Sequence, residues 1–237
     1  MTTSLEIAGL TAHVAGPAAA TTTCVLLHGF GASGDDLLPI ASELDAPVRF
    51  VFPEAPLELG GMYGNARAWW MLDLERLEDD LRAGVPRDRR DEIPPGLADA
   101  RAHVDRLLDQ LMARFAIAPG ALVLGGFSQG AMLALDVALH RAATPAALAL
   151  MSGTLIAEPL WQPRMAGLAG VPVLISHGRR DPLLPFVAAE RLRERLASAG
   201  AVVEWLPFVG GHEIPPVVLG ALAALLAQVD GARGPAA

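Results

Sequence analysis

The chain has 237 residues, a formal net charge of −8 and 52% hydrophobic residues. This length fits one large α/β domain, since such domains commonly reach about 250 residues. The acidic balance disfavours a nucleic-acid partner, because a protein that binds nucleic acid presents a basic face. The single cysteine, Cys24, excludes an intramolecular disulfide and a multi-cysteine zinc site.

Targeting and membrane signals are weak in this sequence. The first ten residues lack the basic start and the apolar run of a signal peptide. The apolar stretch Val217–Val229 is shorter than the roughly 18 residues that span a bilayer. We therefore expect a cytoplasmic protein with no transmembrane segment.

Short apolar runs predict six strands, and continuous runs of this kind are typical of strands covered on both faces of a parallel sheet. The predicted strands are Thr22–Leu27, Val48–Phe52, Ala121–Gly126, Ala147–Met151, Val171–Ser176 and Val202–Phe208. Stretches with helical spacing alternate with these strands. The predicted helices are Asp35–Leu44, Leu97–Phe115, Gln129–Arg141, Phe186–Ala199 and Pro216–Val229. This alternation predicts an α/β fold with a mostly parallel central sheet and helices on both faces.

We interpret residues 1–230 as a single domain and residues 231–237 as a tail. Residues 57–96 interrupt the alternation with the Trp69–Trp70 pair, a charge-dense segment over Asp73–Asp91 and two prolines. A long connection inside a compact domain often lines or covers a functional site, and the alternative is a solvated excursion. We favour the solvated excursion for the charged half and a place near the active site for Trp69 and its neighbours.

The segment Gly126–Gly130, with the sequence GFSQG, follows a predicted strand and precedes a predicted helix. This is the context in which the G-x-S-x-G motif forms a nucleophile elbow, with Ser128 at its tip. The flanking glycines permit the sharp turn, and the helix directs its positive N-terminal end at a developing oxyanion. An ordinary glycine-rich turn between a strand and a helix is the alternative interpretation.

Three histidines follow Ser128, and the chain order of an α/β-hydrolase triad is serine, acid, histidine. His140 lies near the far end of the helix that begins at the elbow, too distant to reach the serine. His177 ends a predicted strand, where we expect it to orient the following loop. His212 lies in a glycine-containing loop after the last strand, and we predict that it is the general base.

The acid of the triad should lie between Ser128 and His212, at the carboxyl end of a strand. Asp181 follows the strand Val171–Ser176 and fits this position. Its role would be to hold the imidazole tautomer and to stabilise the imidazolium. An aspartate before a proline is also a common turn residue, which is the structural alternative.

An oxyanion hole requires two backbone N–H donors. One should come from Gln129, the residue after the nucleophile. We assign the second to Phe30, because the loop from His28 to Ala32 follows the first predicted strand and contains two glycines. This loop also serves as a tight turn into the next helix, and the two roles are compatible.

With these residues in place, the chain resembles the carboxylesterase/phospholipase family of α/β-hydrolases that includes the acyl-protein thioesterases. The motifs that carry the resemblance are Leu27–Gly31, Arg67–Trp70, Gly125–Gly130, His177–Asp181 and Gly211–Glu213. The resemblance implies hydrolysis of short- to medium-chain esters, lysophospholipids or thioesters, without a metal or a cofactor.

The pocket is where the chain departs from this family. Met71-Leu72 separates Trp70 from Asp73, whereas an aspartate closely follows the aromatic pair in the family. An acyl-binding groove would be mainly apolar. Four apolar side chains near the motif loops are the predicted substrate-binding residues, with core packing as the competing role: Trp69, Trp70, Met71 and Leu183.

The leading hypothesis is a carboxylic ester or thioester hydrolase that acts through an acyl-serine intermediate on a small-molecule or lipid-like substrate. The alternative class is a non-catalytic binding protein on a hydrolase scaffold. Acyl transfer to an alcohol and perhydrolysis use the same residues and stay open. The sequence also leaves open a homodimer.

Overall fold

The predicted strands lie side by side in one sheet. The computed structural model describes residues 2–44, 46–61, 64–84, 88–118 and 120–232. Within these residues the strands are β1 (Thr3–Ile7), β2 (Leu10–Ala15), β3 (Thr23–Leu27), β4 (Arg49–Pro53), β5 (Leu57–Glu58), β6 (Arg67–Ala68), β7 (Leu122–Phe127), β8 (Ala147–Met151), β9 (Pro172–Gly178) and β10 (Val202–Phe208). Residues 233–237 of the predicted tail lie outside this description.

Eight of these strands form the main sheet in the order β1-β2-β4-β3-β7-β8-β9-β10. The pairs from β4 to β10 are parallel, whereas β1 and β2 are antiparallel to their neighbours. The fold class predicted from the sequence is confirmed. This is the α/β-hydrolase arrangement, a mostly parallel sheet with helices on both faces.

Helices cover the sheet on two sides. They are α1 (Pro39–Leu44), α2 (Leu74–Ala83), α3 (Leu97–Arg114), α4 (Gln129–His140), α5 (Glu158–Trp161), α6 (Phe186–Ser198) and α7 (Pro216–Gly231), with a 3-10 helix at Gln162–Leu168. Alternate residues of β3 face opposite layers: Val25 and Leu27 belong to the core that includes α3, α4 and α6, whereas Cys24 and Leu26 belong to the core that includes α1 and α7. The continuous apolar strands therefore have a core on each face.

Two antiparallel strands precede the elements that the sequence predicts. No strand is predicted before Thr22, but β1 and β2 form a hairpin at the edge of the sheet. The turn consists of Ala8 and Gly9, both with positive φ, which is the backbone of a type I′ hairpin turn. Both strands are short and half-exposed, so the alternation of apolar and polar residues along them predicts a strand only weakly.

The first helix is shorter than predicted. Residues 34–38 form hydrogen-bonded turns and the helix begins only at Pro39, instead of at Asp35. Proline disfavours helical backbone at the preceding residue but is well tolerated in the first helical turn. Pro39 therefore sets the start of α1.

The predicted excursion over residues 57–96 contains the small β5–β6 ribbon and α2 before the chain enters α3. Residues 62–63 and 85–87 of this segment lie outside the described residues. The ribbon places Trp69 and Trp70 directly after β6, where both indole rings enter the core between the sheet and α3.

Candidate active site

Ser128 occupies a sharp turn between β7 and α4. Its φ of +55° and ψ of −117° lie in a region that residues other than glycine rarely adopt. The turn is held by the Ser128 N–H, which donates to the carbonyl of Met151 on β8 at 2.9 Å. The Ser128 carbonyl in turn accepts from the N–H groups of Ala131 and Met132 at the start of α4. The strained geometry is therefore imposed from both flanking elements.

The glycines of the elbow allow it to lie against the end of β3. A Cβ atom on Gly130 would stand 2.0 Å from the carbonyl oxygen of Leu27, and one on Gly126 would stand 2.5 Å from the same oxygen. Both distances are far below a van der Waals contact. Only glycine at these two positions brings the start of α4 beside the loop that follows Leu27.

His212 and Asp181 form a close pair. The Nδ1 atom of His212 lies 2.6 Å from Oδ2 of Asp181, and the carboxylate can only accept, so Nδ1 carries the proton. The other carboxylate oxygen accepts from the N–H groups of Leu183 and Leu184 at 2.8 and 2.9 Å. This arrangement leaves Nε2 of His212 as the unprotonated, basic nitrogen.

The pair favours an ionised Asp181. Burial by itself would raise the pKa of the Asp181 carboxyl, but the hydrogen bonds from His212, Leu184 and Leu183 outweigh it and the pKa lies below its ordinary value. The side chain of Asp181 is fully buried. A buried carboxylate with this many donors is oriented by its hydrogen bonds.

Close backbone packing brings the two loops of this pair together. A Cβ atom on Gly178 would lie 2.0 Å from the carbonyl oxygen of Gly211, and the N–H of Arg180 donates to the carbonyl of Gly210 at 2.9 Å. The imidazole of His212 also lies against the ring of Phe127, with centroids 4.7 Å apart. Because Phe127 immediately precedes Ser128, this contact places the histidine beside the elbow.

His177 supports the loop that carries Asp181. Its buried ring donates from Nε2 to the carbonyl of Leu184 at 3.0 Å, and the same nitrogen lies 3.4 Å from Oδ2 of Asp181. Burial lowers the pKa of His177, and the hydrogen bond to Leu184 and the charge of Asp181 oppose this only in part. The His177 ring therefore bridges Asp181 and Leu184 within this loop.

The loop after β3 is held from inside the protein. The N–H of Ala55 donates to Nε2 of His28 at 3.0 Å, so the proton of this ring is on Nδ1, which donates to the carbonyl of Gly29. Burial lowers the pKa of His28, with weaker opposing contributions from Gly29 and nearby carboxylates. Among the described residues, the backbone N–H groups of Phe30 and Gln129 have no hydrogen-bond acceptor. Both predicted oxyanion donors are thus available to a ligand.

The four predicted substrate-binding residues divide into two pairs. Trp69 and Trp70 are only 2% and 1% exposed, and Nε1 of Trp69 donates to the carbonyl of His28 at 2.9 Å. Met71 and Leu183 are 55% and 42% exposed. The indole rings therefore pack beneath the site loops, whereas the two aliphatic side chains lie at the surface.

A shallow depression borders His212 on the side of α1 and α7. Apolar side chains and three carboxylates share its wall. The lining residues are Asp36, Leu37, Ile40, Glu43, Phe127, His212, Glu213, Ile214 and Leu219. None of the predicted substrate-binding residues belongs to this depression.

In the described part of the chain, no three His, Cys, Asp or Glu side chains are grouped to hold a metal ion. Cys24 lies on β3 in the core, where burial raises the pKa of its thiol, as is usual for an inert cysteine. The polar groups that meet at the site are those of the elbow and the His212–Asp181 pair.

Two contacts of this site have no counterpart in the sequence predictions. The side chain of Gln129 bonds to the backbone of Trp69 and Trp70, and the backbone of Arg67 pairs with Gly31 and Ala32. The Arg67–Trp70 motif is the signal in the sequence that this segment contributes to the site. It does not indicate which residues the segment contacts.

The eight-stranded sheet with its serine elbow and adjoining His–Asp pair defines the class of α/β-hydrolases. Residues 11–229 match the family described as Phospholipase/Carboxylesterase. The match covers most of the chain, so the protein belongs to this family and is a carboxylic ester hydrolase.

Named relatives agree with this assignment. Acyl-protein thioesterase 1 of Gibberella zeae is 27% identical over 218 residues, which cover 87% of this chain and 89% of the relative. A probable carboxylesterase SOBER1-like of Arabidopsis thaliana is 30% identical over 209 residues, covering 82% and 74%. The crystal structure of esterase PE8 is 29% identical, with a TM-score of 0.77 over 93% of this chain and 99% of that one.

Within the described ranges, no helix combines the length and the apolar character needed to cross a bilayer.

Proposed function

We propose that the protein hydrolyses carboxylic esters and thioesters through an acyl-serine intermediate on Ser128. The observation that carries this proposal is the 2.6 Å bond between His212 and Asp181, beside a serine held at a strained elbow. A strained serine next to a correctly protonated imidazole is the arrangement that acyl transfer requires. Family membership supports the same reaction class.

The proposed acylation step begins with attack of Ser128 Oγ on the substrate carbonyl carbon. Nε2 of His212 accepts the hydroxyl proton, and the ionised Asp181 stabilises the imidazolium. The carbonyl oxygen becomes an oxyanion that accepts from the N–H groups of Phe30 and Gln129. Collapse of this intermediate releases the alcohol or thiol, which takes the proton from His212, and leaves the acyl group on the serine.

Deacylation repeats these steps with water. His212 removes a proton from the water molecule, whose oxygen attacks the acyl-serine carbonyl. The second oxyanion collapses to the free carboxylic acid, and the departing Ser128 oxygen takes the proton back from His212. Every proton in this cycle moves between substrate, water and groups of the chain.

The substrates that we propose are short- to medium-chain esters, lysophospholipid-like esters or thioesters. The relatives named acyl-protein thioesterase and carboxylesterase support this range. We assign the acyl contacts to Met71 and Leu183 at the surface, with Trp69 and Trp70 forming the wall beneath them. We further propose that residues 1–230 act as a single domain in the cytoplasm.

Replacement of Ser128 by alanine tests the nucleophile. We expect this variant to lose about 10³- to 10⁶-fold in kcat, as nucleophile removal does in other serine hydrolases. A fluorophosphonate should label the wild-type protein at Ser128 and should not label the variant. Undiminished hydrolysis by Ser128→Ala, or no labelling of the folded wild type, would overturn the proposal.

The substrate range is tested with matched esters and thioesters. Each acyl chain, from two to sixteen carbons, is presented as an oxygen ester and as its sulfur counterpart with the same leaving-group skeleton. We expect kcat/KM to peak at short or medium chains. A non-catalytic binding protein would hydrolyse none of them, and an acyltransferase would yield new esters when an alcohol is added.

A further inference from the structure

The segment Arg67–Trp70 contacts Gln129 and the residues on either side of Phe30, and we call it the brace. On the side of Phe30, the N–H of Gly31 donates to the carbonyl of Arg67 and the N–H of Arg67 donates to the carbonyl of Ala32, each at 2.9 Å. These bonds hold the chain immediately after Phe30. The loop after β3 is therefore paired with the brace in the manner of a short strand.

The Arg67 side chain anchors this end of the brace. Its guanidinium lies 3.2 Å from a carboxylate oxygen of Glu54 and donates to the carbonyl of Ala55 at 3.2 Å and to Glu58 at 3.1 Å. The N–H of Ala55 in turn bonds to His28. Arg67 and His28 are thus fastened to the same turn after β4.

The indole of Trp69 holds the chain before Phe30. Its Nε1–H donates to the carbonyl of His28 at 2.9 Å, and the His28 and Trp69 rings lie 5.5 Å apart. Phe30 is therefore bracketed by brace contacts at His28, at Gly31 and at Ala32. Its N–H direction depends on all three.

On the elbow side, the buried side chain of Gln129 binds the brace with both of its amide atoms. Oε1 accepts from the N–H of Trp69 at 3.0 Å, and Nε2 donates to the carbonyl of Trp70 at 2.9 Å. The Gln129 side chain uses both its acceptor and its donor, and only an amide side chain can make these two hydrogen bonds. Glutamate lacks the donor and methionine lacks both groups.

We propose that the brace sets the position of the Phe30 and Gln129 N–H groups relative to each other, with Gln129 and Trp69 as positioning residues. This inference rests on the proposed function, because it takes those N–H groups as the oxyanion donors. Oxyanion stabilisation depends on donors fixed before the charge develops, and a misplacement of about 1 Å can reduce the rate about 100-fold.

This role differs in its consequences from the substrate contact predicted for Trp69. A substrate contact affects ground-state binding and appears mainly in KM, whereas a displaced oxyanion donor weakens the transition state and appears in kcat. Trp69 is 2% exposed, so its ring has little surface for a substrate. Its Nε1–H group already donates to the carbonyl of His28 in the loop after β3.

The test compares Gln129→Met and Trp69→Phe with the wild type, using a short-chain ester and an alkyl trifluoromethyl ketone. The ketone adds reversibly to the serine hydroxyl and forms a hemiketal oxyanion, so its Ki reports the donors. We expect kcat to fall about 10- to 100-fold and Ki to rise in proportion, with KM changed less than two-fold. Trp69→Phe removes the N–H and part of the indole ring but keeps an aromatic side chain, and it provides the result if Gln129→Met does not fold.

The matched control is Trp161→Phe. Trp161 is also buried, and its Nε1 donates to Asp136 in the second half of α4 at 2.7 Å and not to the brace or the loop after β3. We expect this control to lower the unfolding temperature while leaving kcat and Ki unchanged. A Trp69→Phe variant that raises KM alone, or that matches Trp161→Phe in all three constants, would overturn the inference. Failure of the proposed function is separate, since it would leave the wild type uninhibited by the ketone.

Discussion

Two buried histidines, His28 and His177, support the loops on either side of Ser128. Each ring donates one hydrogen bond to a backbone carbonyl, and His28 also accepts one from the N–H of Ala55. Burial lowers the pKa of both rings. A protonated His28 could not accept from Ala55, so its loop requires the neutral ring.

We expect the folded protein to lose stability as the pH falls below about 6.5, the ordinary histidine value. The unfolded chain then binds protons at both rings, whereas the folded state does so only at its lower pKa values. Since the unfolded state binds more protons, the free energy of unfolding decreases with falling pH. The slope is up to about 1.4 kcal/mol per pH unit for each histidine, measurable by urea unfolding between pH 7.5 and 5.

Single replacements identify the groups responsible. His28→Asn and His177→Asn should each reduce the steepness of this dependence, and the double variant should flatten it further. All four proteins are measured over the same pH range, so that contributions they share cancel in the comparison. A steepness that is the same in all four proteins would contradict the assignment.

At the scale of elements, the site depends on how closely α4 approaches the end of β3. Because Gly126 and Gly130 have no Cβ atom, the carbonyl oxygen of Leu27 can occupy the space that a side chain would otherwise fill. The helix that follows is buried over nearly its whole length. In the second half of this helix, away from the elbow, Asp136 accepts from Arg101 of α3 and from Trp161 of α5.

We expect Gly130→Ala to destabilise the protein by about 3 kcal/mol or more, because the new Cβ would lie 2.0 Å from the Leu27 carbonyl and 2.6 Å from that of His28. The backbone must shift at the elbow, so esterase activity should also be lost. The matched control is Gly220→Ala in α7, where no atom beyond the adjacent backbone of the helix itself lies within 4 Å of the added Cβ. It should stabilise the protein by roughly 0.5–1 kcal/mol. Chemical unfolding of both variants gives the comparison, and equal effects would contradict it.

At the scale of the whole molecule, ion pairs attach the charged excursion to the body of the protein. We call residues Asp88–Glu92 the strap. The carboxylate of Glu158, mostly buried, lies 2.6 Å from Arg195 and 3.7 Å from Arg90, and Asp88 pairs with Arg191. The N–H groups of Ala157 and Glu158 also donate to strap carbonyls. The sequence predicts a solvated excursion here, but the strap is bound to the body of the protein by these ion pairs and hydrogen bonds.

We expect high salt to loosen the strap, because ion pairs of this exposure are screened at an ionic strength near 1 M. Trypsin cleavage at Arg89 or Arg90 should then accelerate several-fold, while the rest of the chain stays resistant. Glu158→Gln should have the same effect at low salt. Mass spectrometry of the first fragments locates the cleavage.

The control for this experiment is Glu194→Gln. Glu194 pairs with its neighbour Arg193 on α6 and not with the strap, and the substitution keeps every arginine that trypsin recognises. Its cleavage rate should equal that of the wild type. Equal acceleration in both variants would show that the change in net charge, and not the strap, is responsible.

Prediction from the sequence succeeds where the signal is local. The strands Ala147–Met151 and Val202–Phe208 have the predicted bounds, because each is a continuous run of strand-forming residues between turns. The helix after the elbow ends one residue before its predicted end. The edge hairpin β1–β2 escapes prediction because its short, half-exposed strands depend on pairing with β4.

The sequence by itself determined the strand–helix alternation, the family, and the chain order that makes Ser128, Asp181 and His212 candidates. These features follow from residue types and from their spacing along the chain, which the sequence contains directly. Only the tertiary structure decided what surrounds them. The bond between Gln129 and Trp69 joins residues 60 positions apart, and the burial of Trp69 depends on the sheet, α3 and the loop after β3 together. Contacts at such separations leave no periodic trace in the sequence, because they arise from packing between elements and not from the preferences of either segment.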